Sequence, residues 1–324
     1  MIDNYGRKID YLRISLIDRC NLRCVYCMPE DGVEMVPHEE ILTYEEILRL
    51  VKIFAGLGIR KIKLTGGEPL LRKDLVHLVK EMKQIEGIEK VTLTTNGTLL
   101  SGIMEELADA GIDGINLSID TLNPKVYEKI VRRDQFEKAM EGFEAALKYP
   151  QIPLKINCVP MGMEGQNILE MAELARKYPV HVRYIEMMPI GLGKQFEFCS
   201  EKSILDGLKE RYGNYEVYEK QLGNGPGHYY SFEGFKGKIG FISAISHKFC
   251  DSCNRVRLTA QGYLKSCLQY DIGEDLKQYL RGNVSDEKLC DVIEKTIYRK
   301  PVGHRFGTDV GEHGEAHIMA QIGG

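Results

Sequence analysis

The sequence has no tryptophan, no long apolar run and no excess of basic residues, and these absences exclude several classes of protein. Its 324 residues carry 43 lysines and arginines against 47 aspartates and glutamates, a formal net charge of -4. A nucleic-acid-binding protein normally has a basic footprint, so this balance argues against one. No apolar run approaches the roughly 18 residues of a membrane span, and residues 1–10 lack the apolar core of a signal peptide. We therefore predict a soluble, cytoplasmic protein that binds neither nucleic acid nor membranes.

The chain also lacks low-complexity segments and internal repeats, which argues against a solenoid or a disordered tail. Short β-rich segments instead alternate with helical patterns. The predicted strands are residues 11–17, 61–65, 90–95, 114–120, 154–159 and 182–187. The predicted helices follow Thr43 and Asn123 and occupy residues 73–85, 101–110, 134–148 and 167–178. The alternation predicts an α/β fold in which residues 1–195 form a partial (β/α)6 barrel of parallel strands, with functional loops at the carboxyl ends of the strands.

The pattern changes after about residue 195. The predicted elements are a helix near 202–212, strands near 214–220, 229–232, 237–243 and 255–265, and helices near 274–281 and 286–298. Residues 196–324 are therefore expected to form a C-terminal α+β extension that closes one side of the barrel. From Pro301 onward the sequence is rich in glycine and histidine, and we predict no regular structure there.

Nine cysteines are many for a reducing compartment, where metal binding or catalysis is commoner than disulfide formation. Cys20, Cys24 and Cys27 have the spacing C-x3-C-x2-C directly after the first predicted strand. Three thiolates on one loop can ligate three corners of an iron-sulfur cubane and leave the fourth iron open. A structural zinc site prefers four ligands and paired C-x2-C units, so zinc fits poorly here. The isolated cysteines, which we interpret as small buried residues, are Cys158, Cys199 and Cys290.

This loop, with Tyr26 before its last cysteine, resembles the signature of the radical S-adenosylmethionine (SAM) superfamily. The run TGGEP at residues 65–69, at the end of the second predicted strand, is similar to the superfamily's GGEP motif. The resemblance implies a 4Fe-4S cluster whose open iron chelates SAM and delivers one electron to release a 5′-deoxyadenosyl radical. It also implies SAM contacts from Tyr26, Gly67, Ser118 and Met188.

A second cysteine group, with the spacing C-x2-C-x13-C, lies near the end of the chain. It consists of Cys250, Cys253 and Cys267. The spacing alone fits either zinc with a further ligand, for which His247 is a candidate, or a second cluster. Arg255 and Arg257 follow the first two cysteines and alternate along a predicted strand, so they project from one face. Their pattern fits a ligand-binding site or an ordinary surface strand equally well.

With this second group, the resemblance narrows to the branch of the superfamily that acts on GTP in the first step of molybdenum cofactor biosynthesis. It covers essentially the whole chain, from the run LRISLIDRC to the closing Ile-Gly-Gly. The GTP contacts that it implies are Arg13, Lys63, Thr94, Lys155, Arg255, Val256 and Arg257. Lys63 stands where similar enzymes often have arginine, so the charge is kept but bidentate geometry is lost. The second cysteine group is implied to hold another 4Fe-4S cluster, which binds the guanine.

The reaction implied by the resemblance is conversion of GTP into (8S)-3′,8-cyclo-7,8-dihydroguanosine 5′-triphosphate by a radical SAM lyase. The 5′-deoxyadenosyl radical removes hydrogen from the ribose 3′ carbon, and the resulting radical adds to carbon 8 of guanine. Arg255, Arg257, Gly323 and Gly324 are implied to act in catalysis, the glycines because a tail without side chains can enter a narrow site. The implied partners are an electron donor and the downstream cyclic pyranopterin monophosphate synthase, and a homodimer is compatible with the resemblance.

Two other interpretations stay open at this point. A different radical SAM enzyme with an auxiliary cluster, such as a peptide maturase, explains both cysteine groups but not the run C-x2-C-x-R-x-R or the terminal glycines. A regulatory protein that holds zinc or a cluster predicts metal content without SAM turnover.

Overall fold

A computed structural model describes residues 1–34, 36–197, 199–306, 315 and 317–323 of the protein. The strands are β1 (Tyr11–Ser15), β2 (Lys61–Thr65), β3 (Lys90–Thr95), β4 (Ile115–Ser118), β5 (Leu154–Cys158), β6 (His181–Ile185), β7 (Tyr215–Tyr218), β8 (His228–Phe232), β9 (Ile239–Ile242), β10 (Arg255–Leu258), β11 (Tyr263–Lys265) and β12 (Gly273–Asp275). They form one twelve-stranded sheet in the order β12-β11-β10-β1-β2-β3-β4-β5-β6-β9-β8-β7. Strands β1 to β6 are parallel to their neighbours. The predicted α/β fold with a parallel-stranded partial barrel is confirmed.

Helices connect the strands, and the starts of two of them follow directly from the sequence. The α-helices are α1 (Tyr44–Gly56), α2 (Leu75–Gln84), α3 (Met104–Asp109), α4 (Pro124–Val131), α5 (Phe136–Leu147), α6 (Ala172–Lys177), α7 (Glu201–Tyr212), α8 (Leu276–Arg281), α9 (Asp286–Tyr298) and α10 (Met319–Ile322). Helix α1 begins at a capping box, in which the Thr43 hydroxyl accepts from the Glu46 amide and the Glu46 carboxylate accepts from the Thr43 amide. Helix α4 begins with Pro124 after Asn123, whose side chain accepts from the next backbone amides.

Alternation along the strands decides which side chains reach the interior of the barrel. On β1, Leu12 is fully buried in the core between sheet and helices, whereas Arg13 faces the interior. On β10, Val256 lies in the same core and Arg257 faces the interior. The pairing register places Arg13 beside Lys63 on one neighbouring strand and beside Arg257 on the other. A row of cations therefore crosses three adjacent strands on the interior face.

The C-terminal extension adds strands to both edges of the barrel, whereas the sequence predicts closure of one side. Strand β10 pairs in parallel with β1, and β11 and β12 continue that edge as antiparallel strands. At the other edge β9 pairs in parallel with β6, and β8 and β7 follow as antiparallel strands. Because these strands join the sheet of the barrel itself, the domain boundary at residue 195 stays a prediction.

The predicted strand over 255–265 is wrong in one respect, because it consists of β10 and β11 joined by a tight turn. In this turn the amide of Gly262 donates to the carbonyl of Thr259, and Gly262 has a φ of 89°, which glycine adopts without strain. Strand β12 was not predicted, since an element this short shows no period. The prediction of no regular structure from Pro301 onward is wrong at α10, a helix of only four residues. The predicted strands 61–65 and 90–95 and the helix 286–298 are confirmed. No helix in the described part of the chain has the length and apolar composition that crossing a bilayer requires.

Candidate active site

The interior of the barrel holds a cavity of about 760 Å³. Both cysteine groups line it: Cys20, Cys24 and Cys27 form the first, and Cys250, Cys253 and Cys267 form the second. The first group follows the carboxyl end of β1, whereas Cys253 precedes the amino end of β10, the parallel neighbour of β1. The two groups therefore lie at opposite ends of the strands that line the cavity.

The first cysteine loop is held in place by contacts with its surroundings. The amide of Arg23 donates to the carbonyl of Val131 at the end of α4, at 2.9 Å. The Sγ of Cys20 accepts from the amide of Leu22 at 3.4 Å, and the side-chain amide of Asn96 lies 3.8 Å from the same sulfur. The backbone of the loop and one of its thiols are thus fixed by the chain itself.

Burial and mutual proximity make the thiols of the first group hard to ionise. Burial, followed by the neighbouring Cys20 and Asp120, raises the pKa of Cys27 to about 12. The pKa of Cys24 is also raised, first by burial and then by Cys27. Three adjacent thiolates need a positive partner, which a metal cluster supplies when it binds. The donor set therefore fits an iron-sulfur cluster with three protein ligands.

The glycine pair after β2 packs against the first cysteine loop. The amide of Gly67 donates to the carbonyl of Ile17 at 2.7 Å, and the amide of Glu68 donates to the carbonyl of Arg19 at 2.8 Å. A Cβ atom on Gly67 would lie 2.2 Å from the Arg19 carbonyl oxygen. The Glu68 carboxylate accepts from the Thr95 hydroxyl at 2.7 Å. The loop, the glycine turn and β3 are therefore interlocked, and only glycine fits at position 67.

A buried cation bridges the two segments that carry the second cysteine group. Lys300 is 3% exposed, and its Nζ donates to the carbonyl of Arg255 at 2.9 Å. It also donates to the carbonyl of Ser266. Burial raises the pKa of Cys253, but the nearby Lys300 and Arg255 outweigh burial and lower this pKa to about 7. A thiol that ionises near neutral pH is suited to metal ligation.

Two histidines near the second group differ in what they face. His247, a candidate ligand from the sequence, has its Nδ1 3.4 Å from the carboxylate of Glu201, and it is not among the cavity-lining residues. His304 lines the cavity, and its backbone amide donates to the Sγ of Cys250 at 3.4 Å. The geometry favours His304 as the histidine that faces the second group.

Cations crowd the wall of the cavity. They include Arg13, Lys63, Lys155, Arg183, Arg255 and Arg257. Burial, followed by repulsion from Arg183 and Arg13, holds the pKa of Lys63 well below its ordinary value. Burial and then Arg183 lower the pKa of Lys155 to about 8. Such crowding costs free energy unless an anion compensates it, so the cavity suits a ligand with several negative charges.

The structure brings most of the predicted site residues to this cavity. Besides the cysteines, the predicted residues that line it are Arg13, Tyr26, Lys63, Gly67, Thr94, Ser118, Lys155, Met188, Arg255 and Arg257. Val256 does not line it, because its side chain lies in the core behind β10, 1% exposed. The Gly323 carbonyl accepts from Arg257 Nη1 at 2.9 Å and from Arg13 Nη2 at 3.4 Å. Gly324 lies outside the described residues.

Several residues of the site were not identified from the sequence. Besides His304 and Lys300, they include Arg183 and Asp120. Arg183 lines the cavity from β6, and its Nε donates to Asn157 on β5 at 3.0 Å. Asp120 accepts from the Tyr26 hydroxyl at 3.0 Å, and burial raises its pKa to about 6. Alternation within the predicted strand 182–187 is the signal that places Arg183 on the interior face. Asp120 ends the predicted strand 114–120, where functional residues of such folds concentrate.

Comparison with known protein families agrees with this geometry. Residues 14–178 match the model described as Radical SAM superfamily, and residues 180–306 match the model described as Molybdenum Cofactor Synthesis C. The fold and the first cysteine loop thus define a radical SAM protein.

Curated relatives match the chain over its full length. It is 46% identical over 332 residues to the GTP 3′,8-cyclase of Syntrophomonas wolfei and 43% identical over 325 residues to that of Clostridium perfringens, with 100% of both chains covered in each case. It is 42% identical to Molybdenum cofactor biosynthesis protein 1 of Bos taurus, over 94% of this chain and 48% of that protein. The chain belongs to the GTP 3′,8-cyclase family.

A solved structure shares the fold at much lower identity. Streptococcus suis SuiB bound to its precursor peptide SuiA matches with a TM-score of 0.61, over 92% of this chain and 66% of that one, at 14% identity. This likeness concerns the fold alone.

Proposed function

We propose that the chain converts GTP into (8S)-3′,8-cyclo-7,8-dihydroguanosine 5′-triphosphate, the first step of molybdopterin and molybdenum cofactor biosynthesis. The proposal rests on one observation above all: two three-cysteine groups lie at opposite ends of a single cavity whose wall is cationic. When bound to the first group, a 4Fe-4S cluster supplies the electron that releases a 5′-deoxyadenosyl radical from SAM, and this radical takes the hydrogen atom from ribose C3′ that starts cyclisation.

Tyr26, Gly67, Ser118 and Met188 are proposed to bind SAM. All four line the cavity. Tyr26 lies in the first cysteine loop, and the other three lie at or just after the carboxyl ends of β2, β4 and β6, respectively. The Tyr26 hydroxyl is oriented by Asp120, so one face of the ring can lie against an adenine or a sulfonium. The glycine turn exposes backbone without a side chain, which lets the methionine end of SAM approach closely.

The second cysteine group is proposed to hold another 4Fe-4S cluster, beside which the guanine of GTP binds. The proposed GTP contacts next to this cluster lie on β10: the side chains of Arg255 and Arg257 and the backbone of Val256. Arg13 and Lys63 are proposed to join these arginines in neutralising the triphosphate, because the register places them on adjacent strands. The further GTP contacts in this proposal are Thr94 and Lys155. The two anchored ends are proposed to hold the ribose against the adenosine.

The tail and the partners complete the proposal. Gly323 and Gly324 are proposed to act in catalysis together with Arg255 and Arg257, since the Gly323 carbonyl already accepts from Arg257. Each turnover requires two electrons, one to cleave SAM and one, with a proton, to convert the cyclised radical into the dihydro product, and an electron donor is proposed to supply both. The product is proposed to pass to cyclic pyranopterin monophosphate synthase, and the chain to form a homodimer.

The test is anaerobic reconstitution followed by incubation with SAM, GTP and dithionite. We expect 5′-deoxyadenosine and cyclised nucleotide in equal amounts. Cys24→Ala should abolish both products, because loss of one of three thiolates disrupts the site where SAM meets an open iron. Cys290→Ala, on α9 and away from the cavity, is the matched control and should retain both. Wild-type cleavage without cyclised nucleotide, or Cys24→Ala cleavage at the wild-type rate, contradicts the proposal.

A further inference from the structure

A buried lysine lies where the end of the chain returns to the sheet. Lys265 is the last residue of β11, and its side chain is 1% exposed. Its Nζ lies 3.1 Å from the carboxylate of Asp271 and also contacts that of Glu315, whose side chain is only 2% exposed. The Glu315 amide donates to the carbonyl of Gln269 at 2.7 Å. Because removing one partner of a buried pair is costly, this ion pair fixes Glu315 against β11.

Two neighbouring strands hold Glu315 and Gly323 near the end of the chain. Lys265 pairs in register with Arg257 on β10, so their side chains lie on the same face of the sheet. Lys265 holds Glu315, and Arg257 holds the Gly323 carbonyl at 2.9 Å. Between these contacts, α10 has four residues and is too short to be stable alone. Its position depends on the packing of Ala320 and Ile322, which are 1% and 2% exposed, together with the contacts at its two ends.

The carboxylates of this network do not need a metal ion. Asp271, Glu315 and His317 place one ligand atom each within 4.8 Å of one another, which is compatible with a small cation site. The ammonium group of Lys265, however, already contacts both carboxylates. His317 Nδ1 lies 2.8 Å from the remaining oxygen of Glu315. The ammonium group of Lys265 thus offsets one of the two carboxylate charges, and the residues form an ion-pair network.

We propose that Lys265 and Glu315 are positioning residues that anchor the C-terminal tail and set where the Gly323 carbonyl meets Arg13 and Arg257. The inference rests on the proposed function, since these arginines are the proposed GTP ligands. Tethering at Glu315 confines the end of the chain to a small volume. This confinement raises the effective concentration of the C-terminal tail near Arg13 and Arg257, although it adds no contact to GTP. When the Lys265–Glu315 ion pair is lost, SAM is still cleaved, but a smaller fraction of the 5′-deoxyadenosyl radicals leads to cyclised nucleotide.

The test compares Glu315→Gln, Lys265→Met and Lys265→Arg in the reconstituted full-length enzyme. Three quantities are measured: iron content, cyclised nucleotide per 5′-deoxyadenosine, and amide hydrogen exchange over Ile318–Ile322. For Glu315→Gln and Lys265→Met we expect unchanged iron, faster exchange, and a product ratio that falls about tenfold, the effect of losing one charge-assisted bond. Lys265→Arg keeps the charge and should retain most of the ratio. Lys277→Met is the matched control, because it breaks an ion pair between the extension and Glu40 of the barrel and should change neither ratio nor exchange.

The possible outcomes separate this inference from the proposed function. A wild-type enzyme that cleaves SAM but makes no cyclised nucleotide refutes the proposed function, whereas the exchange data still report on the anchor. Unchanged exchange and an unchanged ratio in Glu315→Gln overturn the anchor. If Lys265→Met loses iron because Lys265 lies close to Cys267, the exchange and the product ratio of Glu315→Gln alone decide whether the anchor exists.

Discussion

Among single residues, Lys155 links ligand binding to pH. Burial, followed by repulsion from Arg183 and Lys90, lowers its pKa from 10.5 to about 8. Because the pKa of this base is depressed, the side chain is cationic below about pH 8 and largely neutral above it. An anionic ligand prefers the cationic form, so it raises the pKa again and takes up protons as it binds.

We predict that the affinity of the protein for GTP weakens about tenfold between pH values of about 7 and 9.5, as expected when a charge-assisted bond worth about 1.5–3 kcal/mol is lost. Isothermal calorimetry in buffers of different ionisation enthalpy measures both the affinity and the proton uptake. Lys155→Arg is the matched control, since a guanidinium stays charged throughout this range. Equal pH profiles for wild type and Lys155→Arg would assign the titration to another group.

How much of the site can be predicted depends on whether a residue belongs to a motif. The cysteines have fixed spacing, which predicts a cluster for the first group and either zinc or a cluster for the second. Arg183 and His304 have no such spacing, and they reach the cavity only because β6 and the segment after α9 run past it. Val256 is the opposite case: it lies between two cavity arginines in sequence, yet strand alternation turns its side chain into the core.

At the scale of the element, the glycine turn after β2 has a structural role that the sequence did not reveal. In the sequence, the glycine motif indicates room for a ligand, and the structure adds a second reason for glycine. The amide of Gly67 donates to the carbonyl of Ile17, and a Cβ added at Gly67 would lie 2.8 Å or less from the carbonyl oxygens of Asp18 and Arg19. A side chain at this position must displace the segment that leads into Cys20.

We predict that Gly67→Ala loses the iron of the first cysteine group and with it the formation of 5′-deoxyadenosine. The added Cβ would lie 2.2 Å from the Arg19 carbonyl oxygen, so the cysteine loop must shift. Iron counting and product analysis measure the effect. Gly56→Ala, at the end of α1 with nothing within 4 Å of the new Cβ, is the control, and it should keep full iron and gain up to about 1 kcal/mol of stability. Full iron in Gly67→Ala would show that the loop tolerates the shift.

The elements predicted correctly are those with a long enough apolar pattern. Strands β2 and β3 and helix α9 match their predicted bounds because polar turns flank each of them. The turn between β10 and β11 was missed because the apolar pattern continues across Thr259–Gly262. Strand β12 depends on pairing with β11 rather than on its own residues.

At the scale of the whole molecule, a single sheet carries the first cysteine group at one end of its strands and the second group at the other end. The first cysteine group depends on contacts from α4 and the glycine turn, whereas the second depends on Lys300 and on the ends of β10 and β11. These sets of contacts share no residue. Damage at one end should therefore leave the metal site at the other end intact.

We predict that Cys253→Ala loses about half of the iron, as expected for one of two clusters, and keeps SAM cleavage while cyclisation fails. The uncoupled reaction is measured as 5′-deoxyadenosine formed without cyclised nucleotide. Cys24→Ala is the mirror variant, in which cleavage itself is lost. Wild-type cyclisation by Cys253→Ala would remove the second cysteine group from the mechanism.

The barrel was predictable from alternating strands and helices, but the placement of the extension was not. Strand β10 joins β1 across most of the length of the chain, and no local pattern indicates such a pairing. The sequence therefore predicts an added unit without showing that it contributes to both edges of the sheet.

Because β10 pairs with β1, the barrel sheet can be completed only late in translation, after β10 has been synthesised. Strands β1 to β6 leave the ribosome first, and N-terminal units generally fold first, so the first cysteine loop acquires its neighbours early. Until β9 and β10 arrive, β1 and β6 remain open edges of the nascent sheet. The contacts around the second cysteine group form later, because Lys300, which bridges the two segments of this group, is synthesised after all three cysteines. The nascent chain thus acquires the setting for its first cluster well before the setting for its second.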